Sequence, residues 1–105
     1  MPRPKIDRLV CGHPANQCFK PNGVPMGKLQ QVRLGADEFE ALRLVDHQGL
    51  QQQQAAQQMG VSRQTLANIL KSARAKVVDC LLSGKALMMT PAEPSLEITA
   101  VRKSR

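Results

Sequence analysis

The chain has 105 residues, and its 15 Lys and Arg outnumber 8 Asp and Glu, leaving a formal net charge of +7 at pH 7. That length suits one domain, and that charge suits a negative partner, either nucleic acid or an anionic membrane surface. Phe19 and Phe39 are the only aromatic residues, which argues against modules that stack single-stranded bases on aromatic platforms.

In chain order, the first segment is rich in proline: Pro2, Pro4, Pro14, Pro21 and Pro25 all precede residue 26, and the next proline is Pro91. Proline interrupts helix and sheet hydrogen bonding, so the regular core is expected between those markers. Residues 1–28 then read as an irregular basic arm and loop, 29–90 as the folded domain, and 91–105 as a basic tail ending Arg102-Lys103-Ser104-Arg105. The arm carries Arg3, Lys5 and Arg8, placed as an extension that tracks phosphates or the minor groove, or as a solvated terminus. No apolar run reaches the roughly 20 residues of a membrane span, and no signal-peptide core opens the chain. With an odd count of three cysteines, a disulfide framework is not expected and a reducing cytoplasm fits. Cys11, His13 and Cys18 form C-x-H-x4-C, a weak metal pattern that needs a fourth ligand such as Cys80 or His47. Loop cysteines are the preferred reading, with no metal and no cofactor.

Three helices are expected between the proline markers. The first opens at Asp37, with Glu40 three residues on in the reciprocal capping pattern, carries Phe39, Leu42 and Val45, and stops before Gly49. The second runs from about Gln51 to Met59 and ends at Gly60. The third takes Ser62 as its N-cap, places Leu66, Ile69, Leu70, Ala73, Val77 and Leu81 on one apolar stripe, and ends before Gly84. Gln31–Leu34 and Lys85–Met89 read as short extended pieces. Cys80 lies beside the stripe and is expected in the core. The expected fold is therefore mainly α, a three-helix helix-turn-helix core with a basic arm and a short two-stranded β patch.

The helix-turn-helix pattern rests on fixed offsets: Ala55, Ala56, Met59, Gly60, Val61, Leu66 and Ile69. Ala56 must be small because the next helix packs over it, Gly60 supplies the positive φ of a tight turn, and Val61 and Leu66 fill the angle between helices. The stretch His47 to Val78 contains no acidic residue, while Arg63, Lys71, Arg74 and Lys76 fall in the third helix. Such a surface suits DNA phosphates. Opposite the apolar stripe lie Gln64, Asn68 and Lys71, flanked by Thr65 and Ser72, with Arg63 at the helix start. Arg pairs bidentately with guanine and Gln or Asn with adenine, so Arg63, Gln64 and Asn68 are the base-reading candidates. Lys71, Arg74 and Lys76 are assigned to phosphates, with Ser62, Thr65, Arg3 and Lys5 completing that set.

The run from Gly60-Val61-Ser62-Arg63 through Ser72-Ala73-Arg74-Ala75-Lys76-Val77 resembles the helix-turn-helix of sigma factor region 4. By that resemblance the base-contacting positions fall on Arg63, Gln64 and Asn68. The wider chain resembles a small prokaryotic family of DNA-binding type, uncharacterised protein family 0251. Residues 1–5, 19–25, 37–44 and 84–87 carry that resemblance, which spans roughly residues 1–89 and implies a regulator-like role on DNA. One departure is the run Gln51–Gln54, where such helices open with Ser or Thr followed by Glu; losing that cap costs about 1 kcal/mol.

The expected function is sequence-specific double-stranded DNA binding in transcriptional control. There is no Gly-rich phosphate loop, no G-x-S-x-G and no H-E-x-x-H, and Asp37, Glu38 and Glu40 are assigned to helix capping, so no enzyme is expected. A helical adaptor on the transcription machinery is one alternative; a sensor gating DNA binding through Cys11, His13 and Cys18 is another. A homodimer is expected because Val77, Val78, Cys80, Leu81, Leu82, Leu87, Met88 and Met89 exceed what one helical seam covers. The rival is that Leu9, Val10, Phe19 and Val24 fold back over that surface.

Overall fold

Among the described residues, every helix and two of the three strands fall in the proline-free stretch between Pro25 and Pro91. The computed structural model describes residues 9–12, 14 and 17–89; Arg3, Lys5, Arg8, His13 and the tail 91–105 lie outside them. Helix α1, Ala36–Ala41, is preceded by Gly35 at the N-cap. Glu38 Oε1 accepts from the Gly35 N–H at 2.8 Å, and Asp37 Oδ1 accepts from the Glu38 N–H at 2.8 Å. The helix thus starts before Asp37, and Glu38 rather than Glu40 reaches back to its start. Beyond Ala41 the chain widens into a π-helical segment, Leu42–His47, whose geometry the apolar spacing did not reveal. Gly49, at φ 79°, redirects the chain into α2.

Helix α2, Gln52–Met59, has no side-chain N-cap. Gln54 Oε1 instead accepts from the Gln51 N–H at 3.1 Å, so a glutamine partly fills the role of the absent cap and carboxylate. At its end Gly60 sits at φ 69°; its N–H donates to the Gln57 carbonyl and the Val61 N–H to the Ala56 carbonyl. These paired bonds satisfy the last carbonyls and turn the chain within three residues. Helix α3, Arg63–Ser83, follows at once, its first turn closed by Ser62 Oγ, which accepts from the Thr65 N–H at 3.0 Å. Its 21 residues span about 30 Å, and Gly84 at φ 65° ends it.

Two apolar clusters organise these helices. Leu44, Ala55, Ala56, Met59, Leu66 and Leu70 form the centre of one, where α2 and α3 meet the π-helical segment. Ala55 and Ala56 are almost wholly buried, consistent with close helix approach over small side chains. Leu34, Ala73 and Met89 form the other, between α3 and the sheet. The α3 stripe departs from expectation at its end: Leu81 is 79% exposed while Cys80 is buried at 8%. Helical drift carries position 81 off the face that Leu66 and Ala73 share.

The sheet has three strands, not two. Strand β2, Gln31–Leu34, and β3, Ala86–Met89, pair in parallel, with Gln31 opposite Ala86 and Leu34 opposite Met89. A parallel pair needs a long crossover, and all three helices supply it. Strand β1, Cys18–Phe19, pairs antiparallel with β3 on its other edge. It lies between Pro14 and Pro21, where only loop was expected. The N-terminal segment is pinned further back by Glu40, which is 2% exposed. That carboxylate accepts from the Cys11 and Gly12 N–H groups at 3.1 and 3.0 Å and from Arg43 Nε and Nη2 at 2.8 Å each. Glu40 is therefore an interior anchor rather than a helix cap.

Candidate nucleic-acid interface

The first two turns of α3 present Arg63, Gln64 and Asn68, all exposed. Gln64 Nε2 donates to Asn68 Oδ1 at 3.2 Å, so the two amides lie one above the other on a single face, as four-residue helical spacing requires. Lys71 continues that side and is exposed. Ser62 is exposed and Thr65 half-buried; the Ser62 hydroxyl donates to Thr65 Oγ1 at 2.9 Å while accepting from the Thr65 N–H. Both hydroxyls are thus engaged in holding the helix start.

The second half of α3 is less available. Arg74 Nε and Nη2 donate to the two carboxylate oxygens of Asp46 at 3.1 and 2.7 Å. Both partners are about half-exposed, so the pair exchanges with solvent more readily than a buried one. Arg74 hydrogen bonding draws the Asp46 carboxyl below its ordinary range, and Asp46 in turn raises the Arg74 guanidinium. Lys76 is tied more firmly, donating to Glu38 Oε1 and to the Arg33 carbonyl at 2.8 Å each. Ser72 Oγ also donates to Glu38, at 2.6 Å, so Ser72 faces α1 rather than flanking the polar face. Burial pushes the Glu38 carboxyl up, but Lys76, Ser72 and the Gly35 amide outweigh it and hold it below the usual carboxylate range.

The acid-free stretch of sequence is therefore not an acid-free surface. Asp46 and Glu38 arrive from 28 and 38 residues away and neutralise its C-terminal half. No local spacing signals those pairings. Arg63 and Lys71 remain as the exposed cations of the N-terminal half.

Cys11 is exposed, Cys18 half-buried and Cys80 buried, all as free thiols. Burial first, and the Asp79 charge second, push the Cys80 thiol up. Among the described residues no group of three His, Cys, Asp or Glu side chains is placed to hold a metal, and no helix is long and apolar enough to cross a membrane.

The architecture is that of a small, mainly α protein whose helices bridge two parallel strands of a short sheet. The chain belongs to the family described as Protein of unknown function DUF134, whose model matches residues 1–96. A UPF0251 protein of Aeromonas salmonicida is 73% identical over 94 residues, covering 90% of this chain and 92% of that protein. A UPF0251 protein of Vibrio cholerae is 68% identical over 87 residues, covering 83% and 89%. One from Moorella thermoacetica is 51% identical over 87 residues, covering 83% of this chain but 58% of its own length. No solved structure matches.

Proposed function

We propose that the protein binds double-stranded DNA sequence-specifically and controls transcription, with α2, the Gly60–Ser62 turn and α3 acting as a helix-turn-helix of the sigma region 4 type. The observation that carries this reading is the exposure of Arg63, Gln64 and Asn68 on one face at the start of α3. It stands with the left-handed Gly60 and the small, buried Ala56 beneath the turn. Arg63, Gln64 and Asn68 read base edges in the major groove. Lys71 contacts phosphate, with Ser62 and Thr65 beside the helix N-terminus and Arg3 and Lys5 extending the set. Arg74 joins them by exchanging Asp46 for a phosphate, whereas Lys76 serves the fold. The protein acts in the cytoplasm by binding alone, without a catalytic step.

The same reading takes the protein as a homodimer. Val78, Leu81 and Leu82 are 49%, 79% and 81% exposed, an apolar end of α3 that two copies can cover jointly. Part of the apolar surface is covered within the chain, as the fold-back alternative has it: β1 pairs with β3, Cys18 opposite Met88 and Phe19 opposite Leu87. Cys80 and Met89 are buried, so Val78, Leu81 and Leu82 are what a second copy would cover. That apolar end also suits an adaptor that touches another protein and never reads bases. Selection of duplexes from a random pool, followed by anisotropy across a salt series, separates the two. An enriched motif and a steep loss of affinity with salt support DNA reading; no enrichment and no salt-dependent binding leave the adaptor.

A further inference from the structure

A cavity of about 650 Å³ opens beside the π-helical segment, within the roughly 300–1,000 Å³ range of small-molecule sites. Its apolar wall comes from Phe19, Leu87 and Met89 of the sheet and from Phe39 and Val77 of the helices. Its other side is made by Leu42, Arg43, Asp46 and His47, all from the π-helical segment, a rare backbone form that is frequent at functional sites. Few polar groups thus converge on one edge of an apolar cavity, the usual arrangement for holding an amphipathic ligand.

The charges on that edge select its sign. Asp46 is the acidic group in the wall, and both its oxygens are taken by Arg74. Arg43 gives Nε and Nη2 to Glu40; Nη1 takes no part in that pair. His47 is exposed at the rim and its imidazole can donate. The donors left on that edge are Arg43 Nη1 and the His47 imidazole, so an apolar body with an anionic head suits this cavity better than one with a cationic head.

We propose that this cavity is an effector site for a small amphipathic anion, a medium-chain or aromatic carboxylate, and that its occupancy reaches the DNA face through the Asp46–Arg74 pair. The second half of that statement rests on the DNA-binding reading; the first does not. A carboxylate placed beside Asp46 adds a second negative charge within reach of Arg74. It holds that guanidinium back from phosphate, so the ligand weakens DNA binding.

Decanoate is the probe, with decylamine as a control of the same body and opposite charge. The chain has no Trp or Tyr, so Phe19→Trp places a single indole in the wall, and calorimetry on the unaltered chain checks the reporter. Decanoate is expected to give a saturable, one-site shift of emission to the blue, with decylamine about tenfold weaker, the value of one charged contact. His47→Glu and Gln48→Glu alter exposed rim positions. Each should weaken decanoate several-fold while leaving the melting temperature unchanged. No saturation by decanoate in the full chain, or equal binding of decanoate and decylamine, overturns the site. Saturating decanoate should also lower DNA affinity several-fold in the unaltered protein and have no such effect in Arg74→Gln, which removes the guanidinium that the ligand holds back. Decanoate binding with unchanged DNA affinity overturns the coupling while leaving the site. A protein that binds decanoate but no DNA overturns the DNA-binding reading instead.

Discussion

Lys76 on α3 donates to Glu38 Oε1 on α1 and to the Arg33 carbonyl at the end of β2, each at 2.8 Å. One ammonium thereby ties together a helix, a strand and the helix that carries the proposed reading face. Lys76→Ala should lower stability by about 1–2 kcal/mol, because it leaves the Glu38 carboxylate and a carbonyl short of a charged donor. Lys71→Ala, at an exposed position, should leave the melting curve in place and weaken binding to every duplex, with a shallower salt slope. Thermal denaturation and anisotropy on both variants check the contrast. Equal stability of the two would mean that Lys76 is free for phosphate after all.

Base reading predicts a different pattern. Arg63→Ala, Gln64→Ala or Asn68→Ala should each cost about 1–3 kcal/mol on the selected duplex and little on random DNA. The Gln64–Asn68 contact of 3.2 Å implies that these two positions are not independent. Their double variant should lose less than the sum of the single losses on the selected duplex. A uniform loss on selected and random DNA would assign all three residues to phosphates.

The two glutamates buried in α1 set the response to acid. Burial works to raise the Glu40 carboxyl, but Arg43 and the Cys11 and Gly12 amides more than offset it, leaving it lowered like Glu38. A lowered folded value means that, on acidification, the unfolded chain takes up protons before the folded one does. Their contribution is therefore fully present above the ordinary glutamate range and is lost as pH falls through the depressed folded values. Stability should be flat near neutrality with respect to these groups and fall steeply in acid. Glu40→Gln should flatten that acid limb, while Glu40→Ala should cost about 1–3 kcal/mol at pH 7 by leaving the Cys11 and Gly12 amides and Arg43 without their acceptor. Denaturant titrations between neutral pH and the acid limit measure both; an unchanged acid limb in Glu40→Gln would show that other carboxylates govern it.

Glu38 and Glu40 also mark where the sequence was legible and where it was not. Local signals held for α3: Ser62 caps it, Gly84 ends it, and its buried residues recur at helical spacing. The residues around the α2–α3 turn likewise follow from small side chains and a left-handed glycine. The start of α1 was misplaced because Asp37 and Glu40 imitate the spacing of a capping box that Gly35 and Glu38 form two residues earlier. Strand β1 was missed because two residues between prolines carry no periodicity, and its partner β3 lies about 70 residues away. Long-range electrostatic pairing leaves no mark in local sequence. Arg74 and Lys76 look like unpartnered cations until the fold brings Asp46 and Glu38 against them.

The turn before α3 makes a backbone prediction. Gly60 holds φ at 69°, a conformation that a β-branched residue adopts only under strain. The Gly60 and Val61 N–H groups, donating to the Gln57 and Ala56 carbonyls, close the end of α2, so losing that conformation also strands the last carbonyls of α2. Gly60→Val should lower the melting temperature markedly, and Gly60→Asn should lower it less, since Asn tolerates left-handed backbone better. Equal effects of the two substitutions would point to crowding rather than backbone strain. The nearest atoms to an added Cβ are those of Leu9, at 3.7 and 3.8 Å, ordinary contact distances that make crowding the weaker cause.

Dimerisation through the end of α3 is the last expectation. Leu81 and Leu82 are about four-fifths exposed, and Val78 lies one turn earlier on the same surface. Burying such side chains against a second copy is favourable at about 25 cal/mol per Å² of apolar area. Roughly 20 Å of helix separates Asn68 from Leu81. Two helices that touch near Leu81 and diverge can therefore set their reading faces one turn of DNA apart, about 34 Å. Sedimentation equilibrium at micromolar concentration should give twice the 11.5 kDa chain mass. Leu81→Glu combined with Leu82→Glu should give a monomer with an unchanged helical spectrum, since neither side chain is part of the core. That monomer should lose most affinity for a two-fold-symmetric duplex and little for a single half-site. A wild-type chain that sediments as a monomer both free and on DNA would remove the dimer and leave a single reading helix per site.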